Sequence, residues 1–465
     1  MSAVAGSTLR AAVDRHWADI ESSARDIAGD IWQHPELGLM EEYSNKALSG
    51  WLEAENFRVR RGAGGLPTCF VAEFGSGEPA IGLLAEFDAL PGLSNAAEPR
   101  RAPLVTGGPG HGCGHNLIGA GNTAAAIAIA RTMREQALPG KVLVFGTPAE
   151  EIVFGKLVMH DAGLFEQADI LLTHHADYFN AALARPCQSI IQPEFAFTGR
   201  PQHTGVNRPQ NANDAAELLV QLIDRLRVHQ FPDVSVEHVL RYPAICMPSA
   251  TPEEARVWFY IRHVDHQRAG QVLDIITEQA AHAANSVGVT MRRAIVSACR
   301  GYLPNLALAE RIYDAYRHVG APAWNDADMR FMSELSQSFG GPAELALDRD
   351  VALLTEGFDA YGQDDGEVSW TIPVGRCNWA CPGSIPLHSW AATALFGTET
   401  GWKGASVAAR TLAHAGVDLL RNQSVVAQAK AELAERAAGS PPSIKGNPER
   451  VIADPEAFWT GRWSL

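Results

Sequence analysis

Apolar residues recur at helical spacing over 8–33 (Leu9, Val13, Trp17, Ile20, Ala24, Ile27, Ile31), which predicts an amphipathic helix. A second helical stretch is predicted over 41–56. The period then changes. FVAEF at 70–74 and IGLLAEF at 81–87 read as strands, the second a nearly continuous apolar run that suits burial on both faces. An Ala-rich helix follows the glycines near 112–121 and runs through AAAIAIARTMREQ. KVLVFGT at 141–147 and DILLTHH at 169–175 are two further buried strands. Strand alternating with helix predicts an α/β fold, a mainly parallel sheet with helices on both faces.

The pattern shifts after about residue 190. EFAFTG alternates, NDAAELLVQLIDRLR is helical, EHVLRY and ARVWFYIRH pair as strands, and a helix through QVLDIITEQAAHAANSVG precedes the strand TMRRAIVSA. That order, β-α-β-β-α-β, is the split unit of ferredoxin-like α+β domains. The predicted organisation is a catalytic domain at 1–189 and 301–465, interrupted by an inserted domain at 190–300. The Gly-, Ser- and Asp-rich stretch 336–366 reads as loop, and SPPSIKGNPER as an extended surface segment.

Composition narrows the functional classes. The 465 residues carry 38 Lys and Arg against 53 Asp and Glu, a formal charge of −15. An acid excess argues against a nucleic-acid surface, which needs clustered cations. No apolar run approaches the roughly 20 residues of a membrane span, and the first thirty residues hold no signal-like apolar core. Seven scattered cysteines do not suit a disulfide scaffold, so reduced thiols and a cytoplasmic location are expected.

Five segments carry candidate chemistry. In His111-Gly112-Cys113-Gly114-His115-Asn116 a thiol and an imidazole two residues apart can share one site at a turn entering a helix. Alone, this motif is equally a Gly-rich turn with a buried thiol. Thr147-Pro148-Ala149-Glu150-Glu151 places two carboxylates just past a buried strand, where α/β sheets bind ligands. Alone, it reads as an acidic helix start. His174-His175 and Glu86-Phe87-Asp88 also close strands, and His388 stands in Pro386-Leu387-His388-Ser389-Trp390. The joint occurrence of Cys, His and carboxylates at strand ends is what points to Zn²⁺ or Mn²⁺.

With these residues in place, the chain resembles the aminoacylase and carboxypeptidase-G type metallopeptidases, metallopeptidase family twenty, nearest its aminobenzoyl-glutamate hydrolase branch. The landmarks are HPELG at 34–38, LLAEFDALPGL at 83–93, GHGCGHN at 110–116, PAEE at 148–151 with Gly155-Lys156, DILLTHH at 169–175, YLPN at 302–305, GEVSW at 366–370 and PLHSW at 386–390. The resemblance implies that Cys113, His115, Glu151, His175 and His388 hold one or two divalent ions, Mn²⁺ or Zn²⁺. It implies that Glu150 is the general base and that Asp88 orients a ligand. It further implies that His203 stabilises the oxyanion in a partner subunit's site and that Arg262 grips a substrate carboxylate. The inserted domain would act as lid and form a homodimer.

Several positions depart from the family pattern. Ile152, Val153 and Phe154 replace small residues before Gly155-Lys156. The oxyanion His sits in Pro201-Gln202-His203-Thr204-Gly205, Ser249 stands where Asn is common, 210–215 lacks the usual Arg, and Asn116 replaces Asp. The expected activity is hydrolysis of the amide of an N-acyl or N-aroyl amino acid or a dipeptide by metal-activated water. An alternative is an aminohydrolase that expels ammonia from an amino-substituted aromatic acid such as 5-nitroanthranilate, with the bulky Ile152-Val153-Phe154 suiting a small flat substrate. An inactive binding homologue would have lost Glu150 or a ligand, and neither is lost.

Overall fold

The computed structural model describes residues 3–205, 210–244, 246–440 and 442–465. In chain order the elements begin with α1 (Ala3–Gln33), α2 (Glu42–Ala54), β1 (Arg58–Arg61), β2 (Phe70–Ser76), β3 (Ala80–Glu86), α3 (His115–Gln136), β4 (Gly140–Thr147), α4 (Gly155–Asp161), β5 (Ile170–Asp177) and β6 (Asn180–Leu183). They continue with β7 (Ser189–Thr198), α5 (Ala212–His229), β8 (Ser235–Arg241), β9 (Glu254–His263), α6 (His266–Val287) and β10 (Thr290–Cys299). The last group is α7 (Leu306–Val319), α8 (Asp326–Phe339), β11 (Val351–Leu354), α9 (Asp365–Val368), β12 (Val374–Ala380), α10 (Trp390–Phe396), α11 (Glu399–Arg421), α12 (Gln423–Ala437), α13 (Pro448–Ala453) and α14 (Pro455–Trp459).

The chain divides into two compact units, the first comprising residues 1–185, 303–357 and 368–438. Its eight-stranded sheet runs β1-β2-β4-β3-β5-β12-β6-β11. The central pairs β4–β3, β3–β5 and β5–β12 are parallel, while β1, β2 and the β12–β6 pair are antiparallel. Every residue of β3 and of β12 is buried, which requires helices over both faces. β12 escapes a pattern reading because VGRCNWA mixes Arg and Asn into an interior strand that is buried on both faces. The first helix buries the expected stripe of Leu9, Val13, Trp17, Ile20, Ala24 and Ile31.

The second unit comprises 186–302, 358–367 and 439–465. Its antiparallel sheet, ordered β10-β7-β9-β8, is packed by α5 and α6 and has the ferredoxin-like arrangement. The sequence drew the insertion at 190–300. Contacts place 358–367 and the C-terminal 27 residues with it as well. Cys187 bridges Asp359, and Gln188 N donates to Tyr361 O at 2.9 Å. The segment expected at the surface, 440–450, is extended over 442–447 and has no buried residue among those described, yet Asn447 N donates to Ile295 O at 2.8 Å; beyond it Val451, Phe458 and Trp463 are buried. The stretch 336–366, expected as loop, contains the end of α8 and the short strand β11.

Among the described residues, no helix is long and apolar enough to cross a membrane. All seven cysteines are free, and only Cys246 is exposed.

Candidate metal centre

Five connections of the first unit deliver its polar groups. β3 ends at Glu86, and Asp88 follows it. Gly114, in left-handed backbone (φ 83), bends the chain between Cys113 and His115 so that α3 can begin at His115. β4 ends at Thr147, and the turn behind it is tight: Ala149 and Val153 both have positive φ, and Val153 N donates to Glu150 O at 2.6 Å. A Cβ on Gly155 would lie 1.7 Å from Pro148 O, so only glycine closes this turn. β5 carries His175, and His388 N donates to Gly112 O at 2.9 Å with His388 itself at φ 58.

These connections converge. Cys113 Sγ lies 3.3 Å from His175 Nε2 and 3.3 Å from His388 Nε2. His388 Nε2 is 3.4 Å from Glu151 Oε2, and His115 Nε2 is 3.7 Å from Glu150 Oε2 and 3.5 Å from Glu86 Oε2. Three overlapping trios each bring donor atoms within 4.8 Å: Cys113-His115-His175, Cys113-Glu151-His388 and Glu86-His115-Glu150.

Hydrogen bonds set the imidazole tautomers. The Ala176 carbonyl only accepts, so His175 Nδ1 donates to it at 2.7 Å and leaves the Nε2 lone pair facing Cys113. Asp88 Oδ1 accepts from His115 Nδ1 at 2.8 Å, which leaves His115 Nε2 toward the carboxylates. The other oxygen, Asp88 Oδ2, accepts from Glu151 N at 2.8 Å. Among the described residues, His115 Nε2, Glu86 Oε2 and Glu151 Oε1 are buried without a hydrogen-bond partner. Buried polar atoms are nearly always satisfied, so three such orphans in one cluster fit a place built for a cation. The donor set of thiol, imidazoles and carboxylates suits a borderline-soft divalent ion.

The electrostatics agree with that reading. Burial pushes the Cys113 thiol well up, and the Glu151 carboxylate pushes it further. Burial holds His175 neutral, at about 4. Burial would also lower His115, but the charges of Cys113 and Asp88 outweigh it and raise it. Glu86 is opposed by burial yet held down at about 2, chiefly by the Lys156 ammonium 2.7 Å away. A cation here would take over the work of the buried protons.

Other sequence candidates separate. His174 alternates to the opposite side of β5 from His175, as period two requires. It is fully buried, packed 3.0 Å from the Cβ position of Gly121, and held neutral at about 3 by burial. His111 belongs to none of the trios. Asn116 donates to Ala28 O and Phe396 O, both at 3.1 Å, and so ties α1 to the end of α10. Ile152, Val153 and Phe154 are all buried. His203 and Arg262 lie in the second unit. His203 is exposed and its Nδ1 accepts from Gly205 N at 3.1 Å. Arg262, on β9, is half-buried, 3.5 Å from Ser235 Oγ and stacked on Tyr260.

Sequence reasoning missed Glu41 and the role of Lys156. Glu41 is completely buried and its Oε1 accepts from Ala149 N at 2.7 Å, bracing the turn that carries Glu150 and Glu151. Burial and the nearby Asp88 charge push its carboxyl well up. The only sequence signal was an acidic pair, Glu41-Glu42, which reads as an ordinary helix start. Gly38 of HPELG leaves room for the same turn, since a Cβ there would meet Ala149 Cα at 3.0 Å.

Comparison with known proteins agrees with this geometry. The profile of peptidase family M20/M25/M40 matches residues 82–449. One of the p-aminobenzoyl-glutamate hydrolase subunits of Escherichia coli (strain K12) is 32% identical over 438 residues, covering 88% of this chain and 91% of that protein. The crystal structure of an aminobenzoyl-glutamate utilization protein from Klebsiella pneumoniae superposes with a TM-score of 0.61 at 14% identity, over 87% of this chain and 98% of that one. A Bacillus subtilis protein described as a dinuclear metal binding peptidase gives 0.55 at 19%, over 87% and 99%; at such identities both show shared fold. The profile match and the 32% relative together place the chain in peptidase family M20/M25/M40, as a hydrolase acting on carbon–nitrogen bonds.

Proposed function

We propose that the protein is a metal-dependent amidohydrolase that cleaves the amide of an N-aroyl or N-acyl amino acid. The observation that carries this is the convergence of Cys113, His115, Glu151, His175 and His388, with Cys113 Sγ 3.3 Å from two imidazoles and both His115 and Glu151 offering orphaned buried atoms. These five would hold one or two Mn²⁺ or Zn²⁺ ions. When bound, such ions supply a Lewis acid for the substrate oxygen and lower the pKa of water.

The chain's own residues do the rest. Glu150, 3.7 Å from His115 Nε2, takes the proton of the attacking water and returns it to the leaving nitrogen. Asp88 keeps His115 in its Nε2-facing tautomer and holds the Glu151 backbone. Lys156 neutralises Glu86, keeping one carboxylate charge from repelling the substrate. Arg262 is the proposed carboxylate clamp, its planar fork matching two oxygens. His203 is the proposed oxyanion donor acting in a homodimer made by the second unit. The relative at 32% identity supports an aroyl amino acid as substrate class.

The test is product analysis with p-aminobenzoyl-glutamate and with 5-nitroanthranilate, using chelated and Mn²⁺- or Zn²⁺-reloaded protein. An acid and an amine from the first substrate, lost on chelation and regained on reloading, are expected. Ammonia with a hydroxylated ring from the second, and no amide cleavage, would replace this reading with aromatic deamination. Full activity in verified metal-free protein would overturn both.

A further inference from the structure

A second group of metal-ligating side chains lies in the first unit and shares no residue with the Cys113 cluster. Asp14 on α1, His318 near the end of α7 and His414 on α11 converge, each with a donor atom within 4.8 Å of the others. All three line a cavity of about 610 Å³.

The geometry within the trio is uneven in an informative way. Asp14 Oδ1 is fully engaged: it accepts from Arg410 Nη2 at 2.8 Å and Nε at 3.1 Å, and faces His414 Nε2 at 2.7 Å. Asp14 Oδ2 is not. It stands 3.6 Å from His318 Nε2, too long for a hydrogen bond. That spacing is close to the roughly 3.4 Å between two ligands of one tetrahedral zinc with bonds near 2.1 Å. His414 is buried, and its Nδ1 has no hydrogen-bond partner among the described residues. The two imidazoles meet edge to face with centroids 4.8 Å apart.

Three arginines line the cavity (Arg10, Arg311, Arg421) against three aspartates (Asp14, Asp314, Asp418), Arg311 pairs with Asp314 at 3.1 Å, and Arg410 adds a further positive charge at Asp14 Oδ1. The donor atoms rather than the net charge set the ligand class, and imidazole with carboxylate suits a borderline cation. We propose that Asp14, His318 and His414 form a second divalent-cation site, for Zn²⁺, with cavity water completing the coordination. Arg410 is then a positioning residue: by holding Oδ1 it presents Oδ2 to the ion, as hydrogen-bonded carboxylate ligands commonly are. The ion would clamp α1 to α7 and α11, three helices that no short loop holds together.

The experiment is a zinc count and a site-specific protection assay. After dialysis against Zn²⁺, the wild-type protein should hold one more zinc per chain than His318→Ala, whose hydrolytic activity should be unchanged. In the wild-type protein already loaded at the Cys113 cluster, further Zn²⁺ at ten times its dissociation constant should slow diethyl pyrocarbonate modification of His318 by about tenfold, read by peptide mass. Equal zinc counts in wild type and a His318→Ala protein with native circular dichroism would overturn the proposal. So would His318 modification at the same rate with and without zinc, which needs no variant. Either result would leave the trio an ion-pair network alone.

Discussion

Replacing Asp88 by Asn tests the logic of the centre with almost no change in volume. The carboxylate accepts two N–H donors, His115 Nδ1 on Oδ1 and Glu151 N on Oδ2, each at 2.8 Å. An amide has one accepting oxygen, so its NH₂ must face one of those two donors. One charge-assisted hydrogen bond is lost in a fully buried place, and the surviving one is to a neutral acceptor. A hydrogen bond to a charged group is worth about 1.5–3 kcal/mol. Losing an outer partner of a ligand costs about 10–100-fold in metal affinity, about 1.4–2.7 kcal/mol, the same range. If the amide faces His115, the imidazole is driven to the other tautomer and its Nε2 no longer offers a lone pair; if it faces Glu151, the turn after β4 loosens instead. Metal affinity of Asp88→Asn should therefore fall by about 10–100-fold, with thermal unfolding of the chelated protein moved to lower temperature. Calorimetric titration with Mn²⁺ or Zn²⁺ and a melting scan measure the two. Wild-type metal affinity in a folded Asp88→Asn protein would show that these two hydrogen bonds do not orient the ligands.

Three more outcomes test the proposed function and the buried histidines. Glu150→Gln should keep fold and metal and lose about 10²–10⁴-fold in kcat; loss of the metal instead would make Glu150 a ligand. Mixing inactive His203→Ala with inactive Glu150→Gln subunits should recover part of the activity if sites are shared across a dimer, and no recovery after verified subunit exchange would make each site self-contained. Burial holds His111 and His174 neutral at about 3, below the unfolded value near 6.5, so their stability contribution is present above pH 6.5 and is lost as pH falls toward 3. Each adds about 1.4 kcal/mol per pH unit to that loss; urea unfolding of chelated protein at pH 6 and pH 5 should show the slope reduced in His174→Asn, and an unchanged slope would mean His174 is charged when folded.

Much of this protein is determined locally. The stripe on α1 and the apolar runs of β3, β4 and β5 follow from side-chain period and burial, which act over a few residues and are written in order along the chain. The motif residues Cys113, His115, Glu150, Glu151, His175 and His388 were legible only together: each segment alone has an ordinary reading, and their joint occurrence, in the order of the family's landmarks, is what singled them out. Other features depended on partners distant in sequence. β12 is a central strand only because β5 and β6 flank it, so its Arg and Asn are tolerated where a local reading sees a polar break. The C-terminal tail looks like surface until β10 supplies Ile295 to Asn447. Glu41 has meaning only beside Ala149, 108 positions away, and Asp14 only beside His318 and His414. Such pairings are made by packing of whole elements: hydrophobic burial brings the helices and strands together, and which polar groups then face one another is a property of the assembled core that no window of sequence contains.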